Sequence, residues 1–317
     1  MSERPEVHSQ SQLKRYHADH VSLAYFFHVV WCVGMLVAPF FIAYSTGDLW
    51  TKSEFYYEQP TVQFAHRAVV VGYLSDSDYI AWSTLPEYNA LVDNSHLRVP
   101  IVKSSATDFD LDGKADEITV SVKLPLKTGE EIQHLEVLLF WNVQLLEKVT
   151  LIMEGLTRVT ATSSLAGSSM SAVGNLIFSS ETALDMRDIH DEYATSVLVS
   201  ENLKSVSDTS IQSILTNELY RNQSLSFDGP GVVWTPGAGN SFTATITARV
   251  PSQAIRYLPN ALETLKWAWI QYLAIAVFIG YPAWKLRCFI FENQLVQTLE
   301  QLDCDVRQSI ASKPHQF

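Results

Sequence analysis

The stretch Val21–Tyr44, VSLAYFFHVVWCVGMLVAPFFIAY, decides the fold class of this chain. Its 24 residues include no Lys, Arg, Asp or Glu and a single histidine, His28. A helix rises about 1.5 Å per residue, so about 20 apolar residues cross a hydrocarbon core about 30 Å thick. A second stretch, Leu265–Trp284 (LKWAWIQYLAIAVFIGYPAW), has 20 residues and is charged only at Lys266, beside its edge. Unpaired charge inside lipid is costly, and both stretches keep their centres free of it. The apolar region of a secretory leader runs about 7–15 residues, too short for the first stretch. A core helix of a soluble protein is shorter and amphipathic. Tyr25 and Trp50 flank the first stretch, while Trp267, Trp269, Tyr281 and Trp284 stand at the ends of the second. Amphipathic rings prefer such interfaces. The sequence therefore predicts two transmembrane helices bracketing a long loop.

The boundaries read as an N-terminal tail over 1–20, a span over 21–44, a loop domain over 45–264, a span over 265–284 and a tail over 285–317. The 317 residues carry a net charge of −12. The imbalance sits in the loop, with 14 Lys and Arg against 27 Asp and Glu between Ser45 and Thr264. So acidic a domain is a poor partner for nucleic acid or anionic lipid, and suits cations or basic protein surfaces. Its 220 residues suffice for a core. The three cysteines, Cys32, Cys288 and Cys304, all lie outside it, so it folds without disulfides. Cys288, just past the second span, is placed either for palmitoylation or as an inert thiol.

Lys14 and Arg15 precede the first span, and Lys285 and Arg287 follow the second. By the positive-inside rule both termini are cytosolic and the loop is exoplasmic. The sequon Asn222-Gln223-Ser224 agrees, since Asn222 is a glycosylation acceptor only on that side.

The loop reads mainly as strands. In Ile118–Leu124 (ITVSVKL) and Ala244–Val250 (ATITARV) apolar residues alternate with polar ones, the mark of a half-buried strand. Val69–Leu74, Tyr79–Ser83, Leu97–Val102, Val137–Leu146 and Thr195–Val199 are further candidates. Many short strands with few helices predict a mainly-β, sandwich-like domain. Val206–Tyr220 reads as a helix, and the Ser-rich Thr160–Ser171 as an exposed loop. After Trp284, Phe291, Leu295, Leu299, Leu302, Val306 and Ile310 recur at helical spacing. That predicts a helical cytosolic tail whose apolar stripe, Phe291, Leu295, Leu299 and Leu302, binds a partner or rests on the membrane.

Asp108-Phe-Asp-Leu-Asp-Gly-Lys-Ala-Asp116 is the sharpest local motif. Calcium takes six to eight oxygen ligands, and carboxylates at alternate positions of a tight loop converge on one point. The spacing predicts a structural Ca²⁺ site with side-chain oxygens from Asp108, Asp110, Asp112 and Asp116. Lys114 would give its carbonyl while its ammonium points to solvent. Thr119 stands where a helix–loop–helix site has Glu, and a strand follows, so the pattern is nearer to calcium-bound hairpin loops. No other cofactor, catalytic constellation or small-molecule site is legible: the chain lacks HExxH, GxSxG, a phosphate loop and a CxxC pair. His28, inside a span, reads as a hydrogen bonder between helices. Two spans around a large ectodomain also match a channel or receptor subunit, although these spans offer no acidic residue to line a cation path.

Several runs carry a family resemblance: Tyr56-Tyr57-Glu58-Gln59-Pro60-Thr61-Val62, Ala81-Trp82-Ser83-Thr84, Leu97-Arg98-Val99-Pro100, and Lys266-Trp267-Ala268-Trp269-Ile270-Gln271-Tyr272. In these the chain closely resembles the transmembrane protein 231 family, in order from about Trp50 to Asn293. The resemblance implies a non-catalytic structural component of the membrane-associated Meckel syndrome complex at the ciliary transition zone. There it would contact tectonic-like and B9-domain proteins, contribute to cilium assembly and help form the diffusion barrier that controls entry of membrane proteins into the cilium. Thr160–Asn202 and both tails match poorly.

Overall fold

The alternation in Ile118–Leu124 has the predicted consequence. Ile118, Val120, Val122 and Leu124 are buried, and Lys123 between them is exposed. The computed structural model describes residues 14–47, 52–76, 78–198 and 205–302, without the side chains of 207, 301 and 302. In chain order come β1 (Lys14–His17), α1 (Leu23–Ser45), β2 (Glu54–Glu58), β3 (Thr61–Leu74), β4 (Tyr79–Ser83) and α2 (Pro86–Leu91). Next are β5 (Ile101–Thr107), β6 (Glu117–Pro125), β7 (Ile132–Leu145), β8 (Thr150–Thr162), β9 (Gly167–Ser180), β10 (Leu184–Asp185) and β11 (Ile189–His190). The rest are α3 (Ile211–Leu219), β12 (Gln223–Pro236), β13 (Ser241–Arg249), β14 (Gln253–Leu258), α4 (Ala261–Glu292) and β15 (Leu299–Leu302).

Residues Lys52–Pro259 form one compact unit. It holds two five-stranded sheets, ordered β11-β8-β7-β3-β4 and β12-β9-β13-β6-β5, and a small sheet β10-β14-β2. The two large sheets share one core: Trp141 and Leu139 of the first lie in one buried cluster with Phe242, Ile246 and Val120 of the second. Each apolar side chain removed from water there contributes about 1.5–3 kcal/mol. Trp141 also donates its Nε1 proton to Thr157 Oγ1 at 2.7 Å, so the largest buried ring leaves no polar atom unmet. A second cluster, Val69, Leu138, Phe140, Leu156 and Ile214, packs α3 on the outer face of the first sheet. The β-rich, sandwich-like reading holds.

Several boundaries differ. Thr160–Ser171 is not a loop: β8 runs to Thr162 and β9 starts at Gly167. Serine favours turns locally, but β9 lies between β12 and β13, and ladders on both sides outweigh that preference. The strand expected at Leu97–Val102 begins only at Ile101, and among the described residues of 195–199 there is none. Val206–Tyr220 divides into a 3₁₀ turn, Val206–Thr209, and α3, whose N-cap Ser210 accepts the Ser213 N–H.

The described residues 14–47 and 260–302 form the other unit. Helix α1 covers the first predicted span from Leu23 onward and α4 contains the second, and both are long and apolar enough to cross a bilayer. Ala24, Pro39 and Ala43 alone are buried in α1, and Thr264 alone in α4, so neither is a core helix of a soluble fold. Ser22 and Asn260 cap their N-termini. Tyr272 donates its hydroxyl to the Leu36 carbonyl at 3.1 Å, which joins the two helices. Among the described residues the hydrogen-bonding contact of His28 is with Cys32, one turn along its own helix, and none to α4 is seen. Trp50, Cys304, Val306 and Ile310 lie outside the described residues.

The helical tail holds from Lys285 to Glu292, is corrected from Asn293 to Leu302, and lies outside the described residues beyond that. Helix α4 ends at Glu292, and Gln294 adopts a left-handed φ of 49°. The Gln294 N–H meets the Phe291 carbonyl at 3.2 Å and the Leu295 N–H meets the Ile290 carbonyl at 3.1 Å. This paired closure is a Schellman stop, which satisfies the last carbonyls and turns the chain off the helix axis. Leu299–Leu302 then pairs antiparallel with Lys14–His17. The predicted stripe is thus divided: Phe291 is in the last helical turn, Leu295 in the stop, and Leu299 and Leu302 in a strand.

Candidate functional site

The acidic motif connects β5 to β6, and its own backbone shapes it. Asp108 accepts the Leu111 and Gly113 N–H groups at 2.7 and 2.9 Å. Asp116 accepts Phe109 N–H at 2.7 Å, and Asp112 accepts Lys114 N–H at 2.7 Å. Gly113 has φ +88°, the conformation glycine takes most readily, whereas Leu111 holds φ +62° against its own Cβ. One carboxylate oxygen each from Asp108, Asp110 and Asp116 lie within 4.8 Å of one another. Among the described residues these three form a converging group of metal-ligand type; Asp112 is not in it. Three carboxylate oxygens at that separation suit a hard divalent cation, with carbonyls and water completing its shell.

The electrostatics agree with the crowding. For Asp110 the Asp112 N–H favours the charged form, but desolvation and the charges of Asp112 and Asp116 outweigh it and push the carboxyl up. Asp116 is held down by the Phe109 N–H and the Gln59 amide.

Gln59, in the β2–β3 turn, ties this loop to the sandwich, and nothing in the local sequence signals it. Its amide donates to Asp116 Oδ1 at 2.9 Å, and its carbonyl accepts the Lys114 ammonium at 2.9 Å. Lys114 also lies 3.7 Å from Glu147. Its ammonium therefore turns inward, contrary to the expected solvent orientation, because Gln59 and Glu147 offer it oxygens there. Neighbouring Glu58, buried, accepts the Tyr56 hydroxyl at 2.7 Å and the Leu146 and Glu147 N–H groups at 2.9 and 3.2 Å. Arg98 is likewise spent internally, on Glu130 and on the Ser95 and Leu97 carbonyls.

A charge cluster escaped the sequence reading, because its members come from β3, β8, α3 and the turn after α3. Arg221 donates to the Glu154 and Thr195 carbonyls at 2.8 Å each, and its Nε lies 3.7 Å from Glu218. Arg67 reaches Glu154 at 3.5 Å. Burial, eased by Arg221 and worsened by Glu154, pushes the Glu218 carboxyl up to about 6. Beside this cluster Asn222 is exposed, its backbone held by Tyr193 and Glu181. Its side chain thus stands clear at the start of β12.

The chain has well-matched relatives. A family model described as Transmembrane protein 231 matches residues 3–300. Transmembrane protein 231 of Xenopus tropicalis is 29% identical over 297 residues, which cover 93% of this chain and 95% of the relative. The protein of that name from Bos taurus is 30% identical over 267 residues, covering 83% and 84%. The one from Homo sapiens is 28% identical over 298 residues, covering 93% and 94%. The cryo-EM structure of a proton-activated chloride channel overlaps 83% of this chain and 98% of its own at TM-score 0.26 and 10% identity, too slight a likeness to bear on fold or function.

Proposed function

We propose a function from one premise: this chain belongs to the transmembrane protein 231 family and is a membrane protein with two spans. Its role is that of a non-catalytic structural component of the ciliary transition-zone membrane complex. There it contributes to the barrier that controls entry of membrane proteins and to cilium assembly, in contact with tectonic-like and B9-domain proteins. The supporting observation is where the polar groups of the family-like runs are used. Tyr56, Glu58, Gln59 and Arg98 all hydrogen-bond within the fold. Groups committed in that way hold a shape. In this reading both termini are cytosolic, the sandwich is exoplasmic and Asn222 carries a glycan.

The acidic loop serves the same end. Calcium held by Asp108, Asp110 and Asp116, with Asp112 and the Lys114 carbonyl adjacent, would fix the β5–β6 connection as a structural ion. The converging oxygens favour this assignment.

Localisation tests the main reading. A tagged chain expressed at native level should form a narrow band at the ciliary base and co-purify with tectonic-like and B9-domain proteins. Uniform plasma-membrane signal with an agonist-evoked current would instead establish a channel or receptor subunit. In sealed vesicles the Lys52–Pro259 unit should resist external protease from the cytosolic side, and deglycosylation should shift the wild-type chain but not Asn222→Gln.

A further inference from the structure

Strand β5 departs from the burial pattern of its neighbours. Among the described residues it is an outer strand, paired with β6 on one side only. In that register Val102, Ser104 and Ala106 stand opposite Val122, Val120 and Ile118. Residues directly opposite in a sheet share a face. The three β6 residues are at most 2% exposed, whereas Ser104 and Ala106 are exposed and Val102 is half-buried. The inner face of the sheet is therefore uncovered along β5.

The facing sheet is open at the same place. Strand β4 pairs with Val69–Tyr73 of β3, so the segment Thr61–Phe64 has β7 on one side and, among the described residues, no strand on the other. A groove of about 410 Å³ runs between the two edges, floored by Val62, Phe64 and Ile118 and rimmed by Ser104, Ser105 and Thr107. An edge strand turns every second N–H and C=O outward. No hydrogen bond among the described residues meets those of Ile101–Ala106 from the open side.

The opposite outer strand of this sheet is guarded. It carries Pro230 and Pro236 and a bulge between Asp228 and Gly231. There Gly229 packs so closely that an added Cβ would lie 2.2 Å from the Val173 carbonyl oxygen. Prolines and bulges are the usual protection of an edge. Strand β5 has neither, and its one charged residue is the exposed Lys103, on the face opposite Ser104 and Ala106.

Charge selects the occupant. The groove ends at Asp108, where four aspartates stay net negative with or without a divalent cation, in a domain of 14 basic against 27 acidic residues. A second copy would bring an equally acidic surface, and like charges oppose that pairing. We propose that β5 is a strand-addition site for an extended segment of a partner protein, apolar on alternate residues and basic at the end that reaches Asp108–Asp112. Its backbone pairs with β5, its alternate side chains fill the groove over Val62, Phe64 and Ile118, and its basic end meets the loop. This assignment stands wherever in the cell the protein resides.

The test uses the full chain in the membranes of cells that express it, with photoreactive p-benzoylphenylalanine at Ser105. Mass spectrometry then maps the captured residue. The expected product is a cross-link into an extended, alternately apolar segment of another protein, with Lys or Arg within a few residues. The same probe at Ser226 on β12 should not give it. Ser104→Lys with Ala106→Lys, both at exposed positions that tolerate the change, sets two ammonium groups over the groove and should lower the yield about tenfold or more. A cross-link to a second copy, to lipid or to a helix, a yield unchanged in the double variant, or no cross-link at all overturns the proposal.

Discussion

Tyr257 and Glu54 face each other across the β2–β14 pair, and the Tyr257 hydroxyl donates to Glu54 Oε2 at 3.0 Å. They are 203 residues apart in sequence, at the last strand of the sandwich and the first. The chain therefore enters and leaves this unit at adjacent points, whose closeness is held by side chains as well as by the ladder. Arg256 donates to Ser53 at 3.2 Å, and Lys148 donates to the same Tyr257 hydroxyl at 2.7 Å with its ammonium 4.4 Å from the ring centre.

Tyr257→Phe keeps the buried ring and removes the hydroxyl. The loss removes the hydroxyl's hydrogen bonds to the charged Glu54 and Lys148, and bonds of that kind contribute about 1.5–3 kcal/mol. For a unit of this size each kcal/mol lowers the melting temperature by about 2–4 °C. Thermal unfolding of the full chain in nanodiscs reads the change. A midpoint within about 1 °C of wild type would show that the hydroxyl contributes nothing.

The parts of this fold that were legible in the sequence are those set by periodicity. Stretches with charge-free centres mark the two spans, and strict alternation marks β6 and β13, because burial on one side imposes it directly. Partnership hid the rest. Ser168, Ser169 and Ser171 have turn chemistry yet lie in a strand, since β12 and β13 hydrogen-bond it from both sides. The tail kept helical spacing to Ile310, but one residue, Gln294, in a left-handed turn normally marked by glycine, ended the helix. At the acidic loop the carboxylates were evident, while Gln59 was not, because it arrives from 57 residues away.

Calcium removal should separate two roles within the loop. An extracellular module binds at about 10⁻⁴–10⁻³ M, and occupancy at 100 times the dissociation constant adds about 2.7 kcal/mol, less at lower ratios. The wild-type chain should therefore melt a few degrees higher in millimolar calcium than in chelator. Asp110→Asn removes a ligand charge and also relieves the crowding that raises the Asp110 carboxyl. It should abolish the calcium increment without loss of stability in chelator. Asp108→Ala, which strands the Leu111 and Gly113 N–H groups, should melt lower in both. Equal melting of the wild type in calcium and chelator would leave the loop an acidic turn.

Glu218 makes stability depend on pH in a stated direction. Its folded carboxyl is raised to about 6 from an ordinary value of 4.5, chiefly by burial. A carboxyl raised on folding opposes the fold when charged. Its penalty is full above pH 6, fades as pH falls from 6 to 4.5, and is absent below that. The shift corresponds to about 2 kcal/mol at neutral pH. Glu218→Gln mimics the protonated form, so it should stabilise the chain at pH 7.5 and flatten the stability change between pH 6 and 4.5. Denaturant unfolding at a series of pH values reads both effects, and an identical pH profile in the variant would contradict the assignment.

The last prediction concerns the chain after α4, where helix and strand make opposite claims. In the strand pairing His17 lies opposite Leu299, and cross-strand neighbours sit about 4.5–5.5 Å apart at Cα, within disulfide range. On a continuous helix from Glu292, Leu299 would instead stand about 10 Å further along the axis, with nothing to fix it beside His17. The chain is first cleared of reactive thiols by Cys32→Ser, Cys288→Ser and Cys304→Ser, and His17→Cys with Leu299→Cys is then introduced. Mild oxidation in nanodiscs should close the bond within one chain, seen as a mobility shift that reductant reverses. Arg15→Cys with Leu299→Cys, two residues out of register, should oxidise far more slowly. Equal rates for the two pairs would mean that the tail samples many positions, and no bond in either would restore the helix.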